Sequence, residues 1–222
     1  MKTIVAVTLI LCLALGPGLF RSAAAEQGEK SASDIAYEAV QAGDFQKAQK
    51  YYRIAADEGD RNAMYNLGIL YYRGDGVEQS VQEALEWWLR AEALGHKGAS
   101  RNAANIYYNG EGVERSPEKA AEHYAVAASL GDAVAQNNLG IMYETGEGVE
   151  QSNEKAVEYY TLAAENGEVS AQLRVGAMYN SGYMTEQSYE KAAKYFGMAA
   201  EAGDAEGQWR LGSLYEYGDG VE

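Results

Sequence analysis

The stretch Ala135-Gln136-Asn137-Asn138-Leu139-Gly140-Ile141-Met142-Tyr143, followed by Gly146-Glu147-Gly148-Val149 and Lys155-Ala156-Val157-Glu158-Tyr159-Tyr160, decides the fold, because it recurs in both directions along the chain. Tyr71, Tyr107, Tyr143, Tyr179 and Tyr215 are each 36 residues apart, as are Gly59, Gly95, Gly131, Gly167 and Gly203, and again Gly74, Gly110, Gly146, Gly182 and Gly218. With Gly76, Gly112, Gly148 and Gly220, and with Gly68, Gly140, Gly176 and Gly212, 18 of the 25 glycines keep fixed phases of one repeat. Glycine at this abundance would otherwise point to a linker or a collagen-like chain, but a fixed period makes it structural.

Each unit reads as two helices. Asp60, Asp132 and Asp204 are N-cap candidates, and Ala63, Leu67, Leu70 and Tyr71 fall on one face of the helix that follows. Leu67, Leu139, Val175 and Leu211 extend that face into a core stripe. The next phase holds glycine, which costs about 1 kcal/mol in a helix interior relative to alanine. Close approach of another helix backbone is expected to repay it. Two glycines and a valine then form a turn, with positive φ permitted at the glycines. Ser80, Ser116, Ser152 and Ser188 sit where the second helix needs an N-cap, and Pro117 sits at a first helical position. These serines are caps rather than nucleophiles. Gly59 and its equivalents end each second helix. The fourth loop, Gly182-Tyr183-Met184-Thr185, lacks the second glycine and the valine, and is expected to differ in shape.

The pattern A-x-x-x-L-G-x-x-Y-x-x-G-x-G-V, then K-A and paired aromatics, resembles the Sel1-like repeat family over roughly residues 44 to 222. That resemblance implies an all-α, right-handed α-solenoid of helix-turn-helix repeats, related to tetratricopeptide repeats, that acts as an adaptor or scaffold. Gly43-Asp44-Phe45 resembles a tetratricopeptide turn, so residues 33–58 are expected to form a capping repeat and 59–222 the Sel1-like array. The last unit stops after its first helix. That helix then belongs to a fragment of a longer array or is covered by another molecule.

Residues 1–25 read as a secretory leader followed by a linker over 26–32. Lys2 precedes an apolar run from Ile4 to Leu15, Gly16-Pro17-Gly18 breaks it, and Ala23-Ala24-Ala25 offers a cleavage site. Twelve apolar residues span about 18 Å as a helix against a hydrocarbon core of roughly 30 Å, so stable membrane insertion is not expected once the leader is gone. The expected location is periplasmic or secreted. Cys12 lies within the leader, which leaves the mature chain without cysteine, and loss of Lys2 and Arg21 takes the formal charge from −15 to about −17. A chain so acidic, without basic clusters, does not suit nucleic acid.

No catalytic or metal-binding constellation emerges, and no cofactor is expected. His123 takes an aromatic phase and His96 an N-cap phase. Asp75, Glu111, Glu147 and Asp219 recur once per repeat, too sparsely for a calcium cage, and read as a solvated acidic rim. The candidate partner-binding residues vary where packing does not dictate identity. One phase reads Tyr65, Arg101, Asn137, Leu173 and Trp209; its neighbour reads Asn66, Asn102, Asn138, Arg174 and Arg210; Tyr72 joins them near the loop. Asparagine both donates and accepts, so a ladder of Asn66, Asn102 and Asn138 can hold an extended peptide, with Arg174 and Arg210 clamping a carboxylate in a concave groove. The alternative, asparagines that bridge adjacent helices, stands beside it. Two further readings remain open: β-lactam binding or hydrolysis, implied by cysteine-rich members of the family, whose paired cysteines this chain lacks, and cell-wall glycan binding through Tyr65 and Trp209.

Overall fold

The computed structural model describes residues 30–219. The expected leader, most of the expected linker and Gly220 lie outside these residues. Eleven α-helices follow in order among them: α1 (Ala32–Gln41), α2 (Phe45–Asp57), α3 (Arg61–Arg73), α4 (Val81–Ala93), α5 (Lys97–Asn109), α6 (Pro117–Ser129), α7 (Ala133–Thr145), α8 (Asn153–Glu165), α9 (Val169–Ser181), α10 (Tyr189–Glu201) and α11 (Ala205–Tyr217). Each packs chiefly on its neighbours in chain order, as in an α-solenoid. Odd-numbered helices are the first helices of each pair. The first of them begins at Ala32, one residue before the expected capping repeat, with a capping box between Ser31 and Asp34.

The caps follow the residues expected of them. Asp60, Asp132 and Asp204 accept backbone N–H bonds at the starts of α3, α7 and α11, and Ser80, Ser116, Ser152 and Ser188 do so for α4, α6, α8 and α10. His96 serves the same purpose, its Nδ1 accepting from Ala99 N at 3.1 Å. Acceptance through Nδ1 requires an unprotonated nitrogen there, and burial accordingly pulls the His96 pKa down.

Two expectations require correction. Gly68, Gly140 and Gly176 face aromatic side chains, not helix backbones. A Cβ on Gly140 would stand 2.5 Å from Tyr160 Cδ1, and one on Gly176 would stand 2.6 Å from Phe196 Cδ1. Trp88 covers Gly68 in the same way. The absent side chain is a socket for the ring of the following helix, and those rings are all but fully buried. The fourth loop also keeps the shape of the others. Met184 adopts φ +61° where Gly76, Gly112 and Gly148 adopt +72°, +66° and +73°. Ser188 N reaches Tyr179 O at 2.8 Å, as Ser152 N reaches Tyr143 O at 2.8 Å. Partial burial of Met184 against the core of α8 and α9 offsets a left-handed conformation that costs an L-residue about 1–2 kcal/mol.

At one joint between repeats two phases depart from the pattern together. The phase of Tyr51, Trp87, Tyr159 and Tyr195 holds His123 in α6, and the phase of Ala56, Ala128, Ala164 and Ala200 holds Glu92 in α4. These two departures meet: His123 Nδ1 lies 2.9 Å from Glu92 Oε2, with both side chains largely buried. The imidazole also stacks on Tyr107, centroids 5.3 Å apart and planes 5° from parallel. An aromatic residue and an alanine at these phases have been exchanged for a polar pair. Glu92→Ala alone is expected to lower stability by about 1–3 kcal/mol by orphaning a buried polar group. The double change Glu92→Ala with His123→Tyr, which restores the regular joint, is expected to recover most of the loss. Thermal unfolding of the three proteins checks this, and simple additivity would contradict it.

Candidate partner-binding face

Successive helical residues project about 100° apart, so two adjacent phases cannot line one surface equally. The structure separates them. Tyr65 turns toward the next repeat and stacks on the His96 cap, ring centroids 4.3 Å apart. Arg101 turns the same way and grips the buried cap Asp132 at 3.1 and 2.8 Å through Nη1. Asn137 is half-buried, and its Oδ1 has no hydrogen-bond partner among the described residues. Tyr65 and Arg101 therefore couple repeats, which narrows the expected surface. Trp209, at the same phase in α11, is 69% exposed.

The neighbouring phase stays on the face formed by the first helices. Asn66, Asn102 and Asn138 are half-buried there. Arg174 lies 4.9 Å from the Tyr160 ring centroid and bonds Glu144 Oε2 at 3.1 Å. Arg210 lies over Phe196 and pairs with Glu206 at 2.7 Å. Each arginine spends one edge on an intrachain acid, and Arg174 keeps a side chain 44% exposed.

Tyr72 does not stand free. Its hydroxyl donates to Glu111 Oε2 of the next loop at 2.8 Å, and Tyr108 donates to Glu147 Oε2 at 2.8 Å. Arg115 also pairs with Glu147, and these two partners, Arg115 first, hold the Glu147 carboxyl below the usual range. The expected solvated rim is thus, at Glu111 and Glu147, a set of clasps between repeats. Both tyrosine pKa values are raised, chiefly by the hydrogen bonds to these acids.

Sequence reasoning missed a cleft of about 270 Å³ lined by Glu144, Arg174, Ala177, Met178, Ser181 and Tyr183. A signal for it was present. Tyr72 and Glu111 are 39 residues apart, as are Tyr108 and Glu147, and Glu144 and Tyr183 keep that spacing with the residue types exchanged. Among the described residues no group of three or more His, Cys, Asp or Glu is arranged to hold a metal ion, and no helix is long and apolar enough to cross a membrane.

The model of the Sel1 repeat matches residues 39–60, 61–96, 99–132, 133–168, 169–204 and 205–222. The chain belongs to the Sel1 repeat family. Proteins of this family mediate protein–protein interactions, generally as non-catalytic scaffolds. The crystal structure of c5321, a protective antigen of uropathogenic Escherichia coli strains described as displaying an SLR fold, is similar with TM-score 0.79 and 30% identity. That match covers 90% of this chain and 44% of the other. HcpC of Helicobacter pylori, whose name marks it as a candidate beta-lactamase, is 33% identical over 76 residues, 34% of this chain and 26% of its own length. The rat DAP3-binding cell death enhancer 1 is 39% identical over 51 residues, 23% of this chain and 10% of its own. This chain therefore spans less than half of each of these relatives.

Proposed function

We propose that this Sel1 repeat chain is an exported, non-catalytic scaffold that binds an extended protein or peptide segment along the face of its first helices. The observation that carries the reading is a division of labour. Residues at repeating phases are consumed by caps, sockets and clasps, while the phase of Asn66, Asn102, Asn138, Arg174 and Arg210 varies and keeps each side chain partly exposed, Asn138 also meeting the Tyr124 hydroxyl. Carboxamides offer both a donor and an acceptor to a peptide backbone, and the exposed edge of Arg174 offers charge. The name of the rat relative, which records binding to another protein, agrees with this use of the repeat.

Hydrolysis of β-lactams is the rival that the HcpC name raises. Both histidines are engaged, one in a cap and one with Glu92, and residues 26–222 hold no cysteine. Nitrocefin is expected to show no turnover above buffer.

A library of random dodecapeptides displayed on phage, selected on the immobilised 26–222 chain, tests the reading. Recurrent sequences released by excess free chain are expected. A library that never converges would overturn it.

A further inference from the structure

The exchanged pair Glu144 and Tyr183 leaves a space with a recognisable shape. At the two preceding junctions the phenol of Tyr72 or Tyr108 extends from the end of a first helix to an acid of the following loop. At the third junction the helix carries the smaller Glu144, drawn back to accept from Tyr160 Oη at 2.5 Å and from Arg174 Nη1 at 3.1 Å, both on Oε2. Tyr183 stands on the loop instead, 57% exposed, its hydroxyl only in long contact, 3.5 Å, with Glu144 Oε1. Ala177 occupies the phase of Ile69, Asn105 and Ile141, so the wall recedes as well. Two reductions in side-chain volume, at Glu144 and at Ala177, thus open the cleft of about 270 Å³. Pockets for drug-sized ligands begin at about 300 Å³, so this one suits a single side chain.

Its chemistry selects which one. Glu144 Oε1 is an acceptor with spare capacity, Met178 offers a thioether to a ring edge, Arg174 offers a guanidinium, and Tyr183 offers a ring face. We infer that the cleft receives a tyrosine side chain of the bound peptide, whose hydroxyl donates to Glu144 Oε1 while its ring packs between Tyr183 and Met178 beside Arg174. The partner supplies in trans the phenol that Tyr72 and Tyr108 supply within the chain. An aliphatic side chain would leave the acceptor unanswered, and an acidic one would face Glu144. The inference rests on the reading that the first-helix face takes a peptide, and it adds the residue that is recognised.

The test titrates N-acetyl-tyrosinamide into the ¹⁵N-labelled 26–222 chain and follows backbone amide shifts. Saturable shifts confined to Glu144 and residues 174–185 are expected, with a dissociation constant in the roughly millimolar range of a single side chain. N-acetyl-phenylalaninamide, which lacks the hydroxyl, is expected to bind at least about fivefold more weakly. The double variant Glu144→Tyr with Tyr183→Glu restores the pairing of the other junctions and is expected to abolish saturation. Ala177→Ile, which fills the cleft with the residue found at that phase in two other repeats, is expected to do the same and serves if the double variant fails to fold. Absence of saturable shifts in the wild type, or equal shifts in a folded variant, overturns the inference. Phage-selected peptides that bind wild type and double variant equally also overturn it while leaving peptide binding intact. If no peptide is selected at all, the peptide reading falls, and the amide titration still decides the cleft.

Discussion

Gly140→Ala is expected to destabilise the protein by about 2 kcal/mol, whereas Gly212→Ala, at the same phase in α11, is expected to stabilise it by up to about 1 kcal/mol. The helix propensity term favours alanine equally at both sites. The neighbour decides the sign. A Cβ on Gly140 meets the fully buried Tyr160 ring at 2.5 Å, and that ring is tethered through its hydroxyl to Glu144, so retreat breaks a hydrogen bond as well as packing. A Cβ on Gly212 meets nothing within 4 Å. Ala104 does stand at this phase in α5, where Tyr124 bonds Asn105 Oδ1 instead, so an alanine is accommodated only when the aromatic partner is held differently. Denaturant midpoints at constant slope measure both changes. A stabilised Gly140→Ala would contradict the socket account.

A second large effect is expected in alkali. Tyr52, Tyr72, Tyr108, Tyr124, Tyr159, Tyr160 and Tyr195 all have raised pKa values; desolvation is the main cause at every one except Tyr72 and Tyr108, where the hydrogen bonds to acids come first. The Tyr124 hydroxyl is pushed up to about 12 by burial, and Tyr160 is pushed higher, by burial first and then by Glu144. A folded-state pKa above the unfolded one means the folded chain holds its proton more tightly. The corresponding stability is fully present below pH 10, the unfolded value, and is lost as pH rises through the folded values. Tyr124 alone forfeits on the order of 2–3 kcal/mol between pH 10 and about 12. Urea midpoints are expected to vary little from pH 7 to 9 and to fall steeply above pH 10. The Tyr124→Phe, Tyr160→Phe double variant should shift that fall to higher pH. A midpoint unchanged at pH 11.5 in the wild type would contradict the assignment.

The fold was legible because its determinants repeat: the period of 36 marked caps, turns and core before any coordinates, and Ser80, Asp60 and Gly59 do what their phases imply. What was not legible depends on which side chain meets which across a junction. Nothing local in the sequence says that Gly140 awaits a ring from the following helix, or that Tyr65 turns away from Asn66 toward a histidine cap. The loop acids looked idle because their partners lie 39 residues earlier, on another repeat. The fourth loop was misread for a different reason. Its conformation is imposed by the packing of neighbouring repeats, which outweighs the preference of Met184. Candidate site residues were legible as variation against the period, but variation alone does not separate a residue coupling two repeats, such as Arg101, from one left for a partner, such as Arg174.

The central claim, that the first-helix face binds a peptide, is tested most directly by matched surface variants. A peptide selected on the wild-type chain is titrated by calorimetry into Asn102→Ala, Arg174→Ala, Arg210→Ala on one side. On the other stands Ile54→Ser, Val126→Ser, Leu162→Ser, which alters exposed residues of the second helices. The account predicts a loss of affinity of at least about a hundredfold in the first variant, the sum of several polar contacts each worth about 1 kcal/mol, and no change in the second, with both proteins folded. Equal affinity for the first variant and the wild type would contradict it.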